Sequence, residues 1–470
     1  MNYQNFEDKF ISKVERNKSC SKLIKENEKL IKEYLVSDYP SNIEALIDKL
    51  SVVILNNKKF KELENALRNP LLKDVLSAFR QSNILIRACE ERKVEAAKWL
   101  ITMSINPLIT DKNKRIALMH AVTYFKLSSV VDALLKQDPA QLIMADEDGN
   151  TPLFYSVKVM ENFTKLIKYI TDINYKNKQG DTIFTHICRS NKPKLLSYLI
   201  VNYPDIDFSV VNDEGRTAAM YLAYFYNFPI LRKLYFQNPF SKKPDLKLNY
   251  VNKNGETIVN SIIHKYVESF TESEVPFKYA PYGFTPVTTG IRDCKNYART
   301  INTLIDIGCD FNCVIDNDEN TPLMFFLMIK DYVSAYNLLL YCKTMDIKKC
   351  NKYGVSACDL AVQLTPDDFN SLKNIKDYLF IEIDYEKFKK VLLSYPTFDH
   401  KKYGDDDINI MITKKNPNLH ISPYKPPEKI LTIQSSLSEG YFTRGNEDSS
   451  STFDKLGNPI VEYQLATPFA

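Results

Sequence analysis

From about residue 84 to 361 the chain alternates short apolar clusters with polar turns, and the clusters come in pairs. Leu153-Phe154-Tyr155-Ser156-Val157 is followed by Lys165-Leu166-Ile167-Lys168-Tyr169-Ile170, a spacing that predicts a short helix and then a second one. Ahead of such pairs stands a polar turn with a glycine and, two places later, a hydroxyl residue. The copies are Asp148-Gly149-Asn150-Thr151-Pro152-Leu153, Gln179-Gly180-Asp181-Thr182, Glu214-Gly215-Arg216-Thr217, Asn254-Gly255-Glu256-Thr257 and Tyr353-Gly354-Val355-Ser356. The same frame returns as Glu319-Asn320-Thr321-Pro322-Leu323, with Glu319 in the glycine place. A threonine hydroxyl there can cap the first helix, and a proline just after it removes an amide that needs no partner.

The glycine places at Lys114, Gly149, Gly180, Gly215, Gly255, Glu319 and Gly354 stand 35, 31, 35, 40, 64 and 35 residues apart. An earlier unit shows as Ile84-Leu85-Ile86-Arg87-Ala88, with Leu85 a further 33 residues ahead of Leu118. A fixed period of this size predicts an all-α solenoid of stacked helix pairs. The 64-residue gap reads as one repeat with an insertion at about 267–295, a surface loop carrying Pro276, Pro281, Gly283 and Pro286. Five of the 12 glycines in the chain fall on these turns, which argues against accident.

These turns resemble the ankyrin repeat, whose unit is about 33 residues with a T-P-L-H-x-A opening. Ile307-Gly308-Cys309-Asp310-Phe311-Asn312 is similar to the family's G-A-D-V-N stretch after the second helix. The resemblance spans residues 77–365 in about seven to eight units. It departs at the family's histidine, replaced by Met119, Phe154, Thr185, Met220, Asn260, Met324 and Asp359, so the threonine–histidine hydrogen-bond network is expected to be missing. Ile116 and Ser356 stand in two of the threonine places.

Flanking regions do not repeat. Residues 1–76 predict a helical cap over the apolar end of the array, with Phe6, Phe10, Val14, Leu46 and Leu50 facing inward and helix starts at Pro40 and Asn69-Pro70. Residues 366–399 predict two closing helices with Ile375, Leu379, Phe388, Val391 and Leu392 as contacts. From 400 to 470 the composition turns polar, with Asp405-Asp406-Asp407, Pro426-Pro427 and Ser449-Ser450-Ser451, and predicts a disordered tail.

Composition narrows the function classes. The 62 basic and 58 acidic side chains leave +4, too near balance to imply nucleic acid or an anionic membrane as a direct partner. The longest apolar run, Pro322 to Ile329, is far short of the roughly 20 residues that span a bilayer. Nine scattered cysteines and an apolar-poor opening suggest a reducing compartment, cytoplasm or nucleus. No H-E-x-x-H, G-x-S-x-G or Rossmann glycine pattern occurs, so no catalytic residue, cofactor or metal is expected. Gly440 to Glu447 lacks the lysine and hydroxyl of a phosphate loop. Cys309 and Cys313 have zinc-like spacing but no second Cys/His pair, which favours structural thiols. His120 and His186 occupy one repeat position and read as architectural.

The resemblance implies a protein-binding adaptor whose turn tips and first-helix ends line a concave wall. The wall positions are Thr123, Tyr124, Lys158, Arg189, Tyr224, Phe225, His264, Lys265 and Met328. Tips add Glu147, Asp148, Lys178, Asp213, Glu214, Arg216, Lys253, Asn317 and Asp318. Arg189 and Lys158 are expected to be exposed, whereas Tyr224 and Phe225 either face a partner or pack between repeats. The alternative is a regulatory subunit of a transcription or chromatin complex without direct DNA contact. Oligomeric state has no signal in the sequence.

Overall fold

The computed structural model describes residues 2–36, 38–236, 244–271, 299–328, 331–369 and 383–403, all within one compact unit. Among them, helices and isolated bridges make up the regular structure. Eight first helices follow one another: Ile84–Glu90, Ala117–Ala121, Pro152–Ser156, Ile183–Arg189, Ala218–Tyr224, Ile258–Thr271, Pro322–Met328 and Ala357–Ala361. Second helices at Val94–Thr102, Ser128–Gln137, Met160–Leu166, Pro193–Asn202, Phe228–Phe236, 299–306 and Tyr332–Tyr341 lie between them in the chain. First helices pack on neighbouring first helices, as Ala117–Ala121 does on Ile84–Glu90 and Pro152–Ser156. Second helices pack in the same serial way, Ser128–Gln137 on Val94–Thr102 and Met160–Leu166. This is the helical solenoid expected from the period.

The turns show why the period is so regular. Seven of them open on an Asp or Asn three residues before the glycine place: Asp111, Asp146, Asn177, Asn212, Asn252, Asp316 and Asn351. In all seven the Oδ1 atom accepts the backbone N–H four residues on, at 2.7–3.0 Å. The glycine-place N–H donates to the carbonyl of that same Asp or Asn at 2.9–3.2 Å. Closing the loop requires a left-handed residue, and Lys114 (φ 60°) and Glu319 (φ 62°) adopt it as the glycines do. A side chain there costs about 1 kcal/mol relative to glycine. Lys114→Gly and Glu319→Gly should therefore each stabilise the chain by about 0.5–1 kcal/mol, read as a rise in urea midpoint. A fall in midpoint would mean the left-handed turn is not formed at these positions.

Each turn also ties to the next. Glu147 N–H donates to the Asn113 carbonyl at 3.1 Å, Lys178 to Asp148 at 2.9 Å, Asp213 to Gln179 at 2.9 Å and Lys352 to Asp318 at 3.1 Å. Side chains repeat the step: Asn177 Nδ2 donates to Asn150 Oδ1 at 2.8 Å, Asn212 to Asp181 at 2.9 Å and Asn351 to Asn320 at 2.9 Å. Hydroxyl capping holds where expected at Thr182, Thr217, Thr257, Thr321 and Ser356, each accepting the amide three residues on. Thr151 makes no side-chain cap.

The missing histidine network is partly rebuilt with other groups, which corrects the expectation that it is simply lost. Thr257 Oγ1 donates to Asn260 Oδ1 at 2.9 Å, and Asn260 Nδ2 reaches the Val314 carbonyl of the following turn at 2.9 Å. Ser356 Oγ donates to Asp359 Oδ2 at 2.6 Å.

At the N-terminal end, the expected inward residues Phe6, Phe10, Val14, Leu46 and Leu50 are all buried. The helix Pro40–Asn56 starts at the proline, and the Asn69 side chain caps the 3-10 turn Pro70–Leu72. Trp99 of the first helix pair stacks on Phe60 at 4.7 Å and donates to Glu64 at 3.2 Å, joining the array to this region. Helix Lys73–Arg80 runs through the expected boundary at 76, because its Val75 and Phe79 bury with both sides.

Two boundaries shift at the other end. Helix Ile258–Thr271 continues into the first residues of the expected insertion, and residues 272–298 lie outside the described residues. The expected tail start at 400 is helical instead, His400–Tyr403, because Tyr403 and Lys402 both bond the Asp359 carboxylate. Helix Tyr385–Leu393 closes the array through Phe388 and Leu392, with Phe369 stacked on Tyr332 at 4.7 Å. Ile375, Leu379 and everything from 404 onward fall outside the described residues.

Candidate partner-binding wall

Wall positions lie nine or ten residues beyond each glycine place, at or just past the ends of the first helices, except His264 and Lys265, which lie inside Ile258–Thr271. Local geometry separates them into two groups. Thr123, Tyr124, Phe225, Lys265 and Met328 are half-buried, and Lys158 is exposed. Tyr224 and His264, in contrast, are only 4% and 8% exposed. Helix Ile258–Thr271 lies along Ala218–Tyr224, and the Lys265 ammonium sits 5.2 Å from the Tyr224 ring centre. Tyr224 thus resolves to the packing alternative, and its ring meets Phe225 edge-on at 5.0 Å.

Arg189 corrects the expectation of exposure. Its guanidinium bonds Asp181, whose side chain is wholly buried, at 2.7 Å and reaches Glu214 of the next turn at 3.6 Å. It also donates to Gln179 at 2.9 Å. Burial pushes the Asp181 carboxyl above its ordinary range; Arg189 and the amide of Asn212 pull it back only in part. Tyr221 Oη donates to Glu214 at 2.8 Å and accepts from Asn212 at 3.1 Å, completing a polar link between two repeats. Arg189 is structural first.

Arg216, expected at a tip, is buried as well and pairs with Glu256 of the following turn at 3.2 Å. Glu147, Asp148, Lys178, Asp213, Glu214, Lys253 and Asn317 are exposed and Asp318 half-buried. The Asp318 carboxylate pairs with Lys352.

His120 and His186 take the architectural role expected of them. His120 lies between Asp111 at 3.2 Å and Glu90 at 3.6 Å. Burial and the neighbouring Arg115 lower its pKa, while Glu90 and Asp111 oppose this. Among the described residues, Glu90, Asp111 and His120 are the one set of three such donors within 4.8 Å. Arg115 already bonds the Asp111 carboxylate at 2.9 Å, so a metal there would face a guanidinium. Cys309 is buried and Cys313 half-buried, with burial raising both thiols, as structural thiols would be.

His186 packs edge-on against Phe154 at 5.3 Å, and its Nδ1 has no protein hydrogen-bond partner. Burial, with Arg189 adding, lowers its pKa to about 3. A depressed histidine contributes stability above its unfolded pKa and loses it as pH falls from there toward the folded value. Between pH 7 and 5 the loss at this one side chain is about 2 kcal/mol. His264 shifts in the same direction, mainly through burial. His186→Phe should therefore flatten the fall in urea midpoint between pH 7 and 5. An unchanged slope would place the acid sensitivity elsewhere.

A family model for ankyrin repeats, three copies, matches residues 85–169. Residues 85–169 carry ankyrin repeats. The turns at Asn177, Asn212, Asn252, Asp316 and Asn351 repeat the same hydrogen bonds beyond the matched residues. A crystal structure of an ankyrin repeat domain from Acinetobacter baumannii AYE is similar, with 19% identity over 48% of this chain and 97% of that chain and a TM-score of 0.36. No curated protein matches the chain. Ankyrin repeats are in general protein–protein interaction modules. No helix among the described residues is long and apolar enough to cross a membrane.

Proposed function

We propose that the chain is a non-enzymatic adaptor that holds a protein partner along the concave wall, with Tyr124, Lys158, Phe225, Lys265 and Met328 as contacts. The observation that carries this reading is the split along the wall. Tyr124, Lys158, Phe225, Lys265 and Met328 keep accessible side chains, while Arg189, Tyr224 and His264, in the same register, are committed to the fold. Aromatic side chains and methionine, here Tyr124, Phe225 and Met328, are enriched in protein interfaces. Arg189, Tyr224 and His264 support the wall from behind, so alanine at these positions would weaken the fold and binding together.

The test captures a partner with the full chain and then measures binding to the combined variant Lys158→Ala/Phe225→Ala/Lys265→Ala. Expected is a loss of at least about tenfold, with helix content unchanged by circular dichroism. Ile143→Ala/Val201→Ala, exposed on the 3-10 turn Pro139–Ile143 and on the second helix Pro193–Asn202, should bind as the parent does. Loss in that control and none in the wall variant would sink the reading.

A further inference from the structure

Just beyond the first helices of four consecutive repeats stand Arg92, Tyr124, Lys158 and Lys192. The Arg92 guanidinium lies 4.1 Å from the centre of the Tyr124 ring, and Tyr124 and Lys192 are electrostatic neighbours of Lys158. Other cations of the array pair with carboxylates: Arg189 bonds Asp181, Arg216 bonds Glu256, and Lys165 bonds both Asp132 and Glu161. Arg92 and Lys192 are exposed, and neither pairs with a carboxylate of the described residues. Directly along the chain from Tyr124 and Lys158 stand Phe125, 67% exposed, and Met160, 41% exposed. Phe125 and Met160 occupy the same place in adjacent repeats, which sets two exposed apolar side chains beside the cations.

We infer that the strip Arg92–Tyr124–Lys158–Lys192 docks an acidic segment of a partner protein, with an apolar side chain of that segment seated against Phe125 and Met160. The inference rests on the adaptor reading and narrows it to one class of partner. A phosphodiester strand fits less well. The exposed carboxylates of Glu147 and Asp148 belong to the same repeat as Lys158 and would repel a continuous polyanion. A peptide can place its acidic residues only where the cations are and leave neutral ones opposite the acidic tip.

The experiment uses the full chain and fluorescence anisotropy with a labelled short peptide of glutamates around a central leucine. Its controls are the same peptide with lysine for glutamate and a single-stranded thymidine oligonucleotide. Expected is binding of the glutamate peptide that weakens with salt, and a loss of at least about tenfold in Arg92→Glu/Lys158→Glu/Lys192→Glu. Phe125→Ala should also weaken it, with circular dichroism confirming that both variants fold. Equal binding of the lysine peptide, tighter binding of the oligonucleotide, or an unaffected charge-reversal variant would overturn the inference. A captured partner gives the separation from the broader reading. If Lys158→Ala/Phe225→Ala/Lys265→Ala releases it but the charge reversal does not, the adaptor stands and the acidic-segment inference falls.

Discussion

Gly180→Ala should lower the stability of the array by roughly 3 kcal/mol, one of the largest effects of any single methyl group in the chain. Two costs add. The residue sits at φ 73°, where a side chain is disfavoured. A Cβ there would also meet Asp213 Oδ1 at 2.8 Å, the Asp213 backbone nitrogen at 3.0 Å and Asn212 Cα at 3.1 Å. The neighbouring turn cannot retreat, because Asp213 N–H is bonded to the Gln179 carbonyl and Asn212 to Asp181. Gly255 provides the control. It has the same left-handed backbone, φ 78°, with nothing within 4 Å of an added Cβ. Gly255→Ala should therefore cost only the conformational part, about 1 kcal/mol. Urea denaturation followed by circular dichroism reads both. Equal losses would mean that turn-to-turn approach contributes nothing to the stacking.

Arg189→Ala should cost roughly 2–3 kcal/mol, because it strands the buried Asp181 carboxylate. The figure is at the low end for a broken buried pair, since Arg189 keeps a wet edge of 19% exposure. Asn212 would remain as the one named donor to Asp181. A double-mutant cycle with Asp181→Asn isolates the interaction: in that background Arg189→Ala should cost far less, a coupling of about 2 kcal/mol. The pH dependence carries its own sign. A carboxyl whose folded pKa is raised favours folding when protonated and disfavours it as pH rises. Removing Arg189 raises Asp181 further, so the deficit against the parent should narrow on acidification through the carboxylate range. A deficit that widens, or additive single effects, would show that the pair is not coupled.

The array was legible because its turns are chemically demanding. The turn frame Glu319-Asn320-Thr321-Pro322-Leu323 marks Glu319 as a glycine place and the 35-residue step to Gly149 marks Lys114, and both take the left-handed backbone that the loop requires. The Asp or Asn three residues earlier carried an equally regular signal in the sequence and was overlooked. It accepts the bonds that close every one of the seven turns.

Wall exposure was less legible, for a reason visible at two equivalent positions. Lys158 and Arg189 occupy the same place in adjacent repeats, yet Arg189 folds back because its own turn carries Asp181 next to the glycine and the following turn carries Glu214. The turn before Lys158 carries Asn150 there, which offers no charge. Reading each wall residue against the first residue after its glycine would have separated them. Tyr224 was hidden by a longer-range cause, the extended helix Ile258–Thr271 packed along Ala218–Tyr224. The end of the array was misjudged because Asp359, in a first helix, recruits Lys402 and Tyr403 from more than forty residues away.

Hydrogen–deuterium exchange of the full chain, alone and with a captured partner, tests the adaptor account most directly. It predicts that protection on binding falls at the helix ends around 123–125, 158–160, 225–226 and 265, while the second helices Ser128–Gln137 and Pro193–Asn202 are unchanged. Protection confined to the second helices, or to residues 1–76, would contradict it.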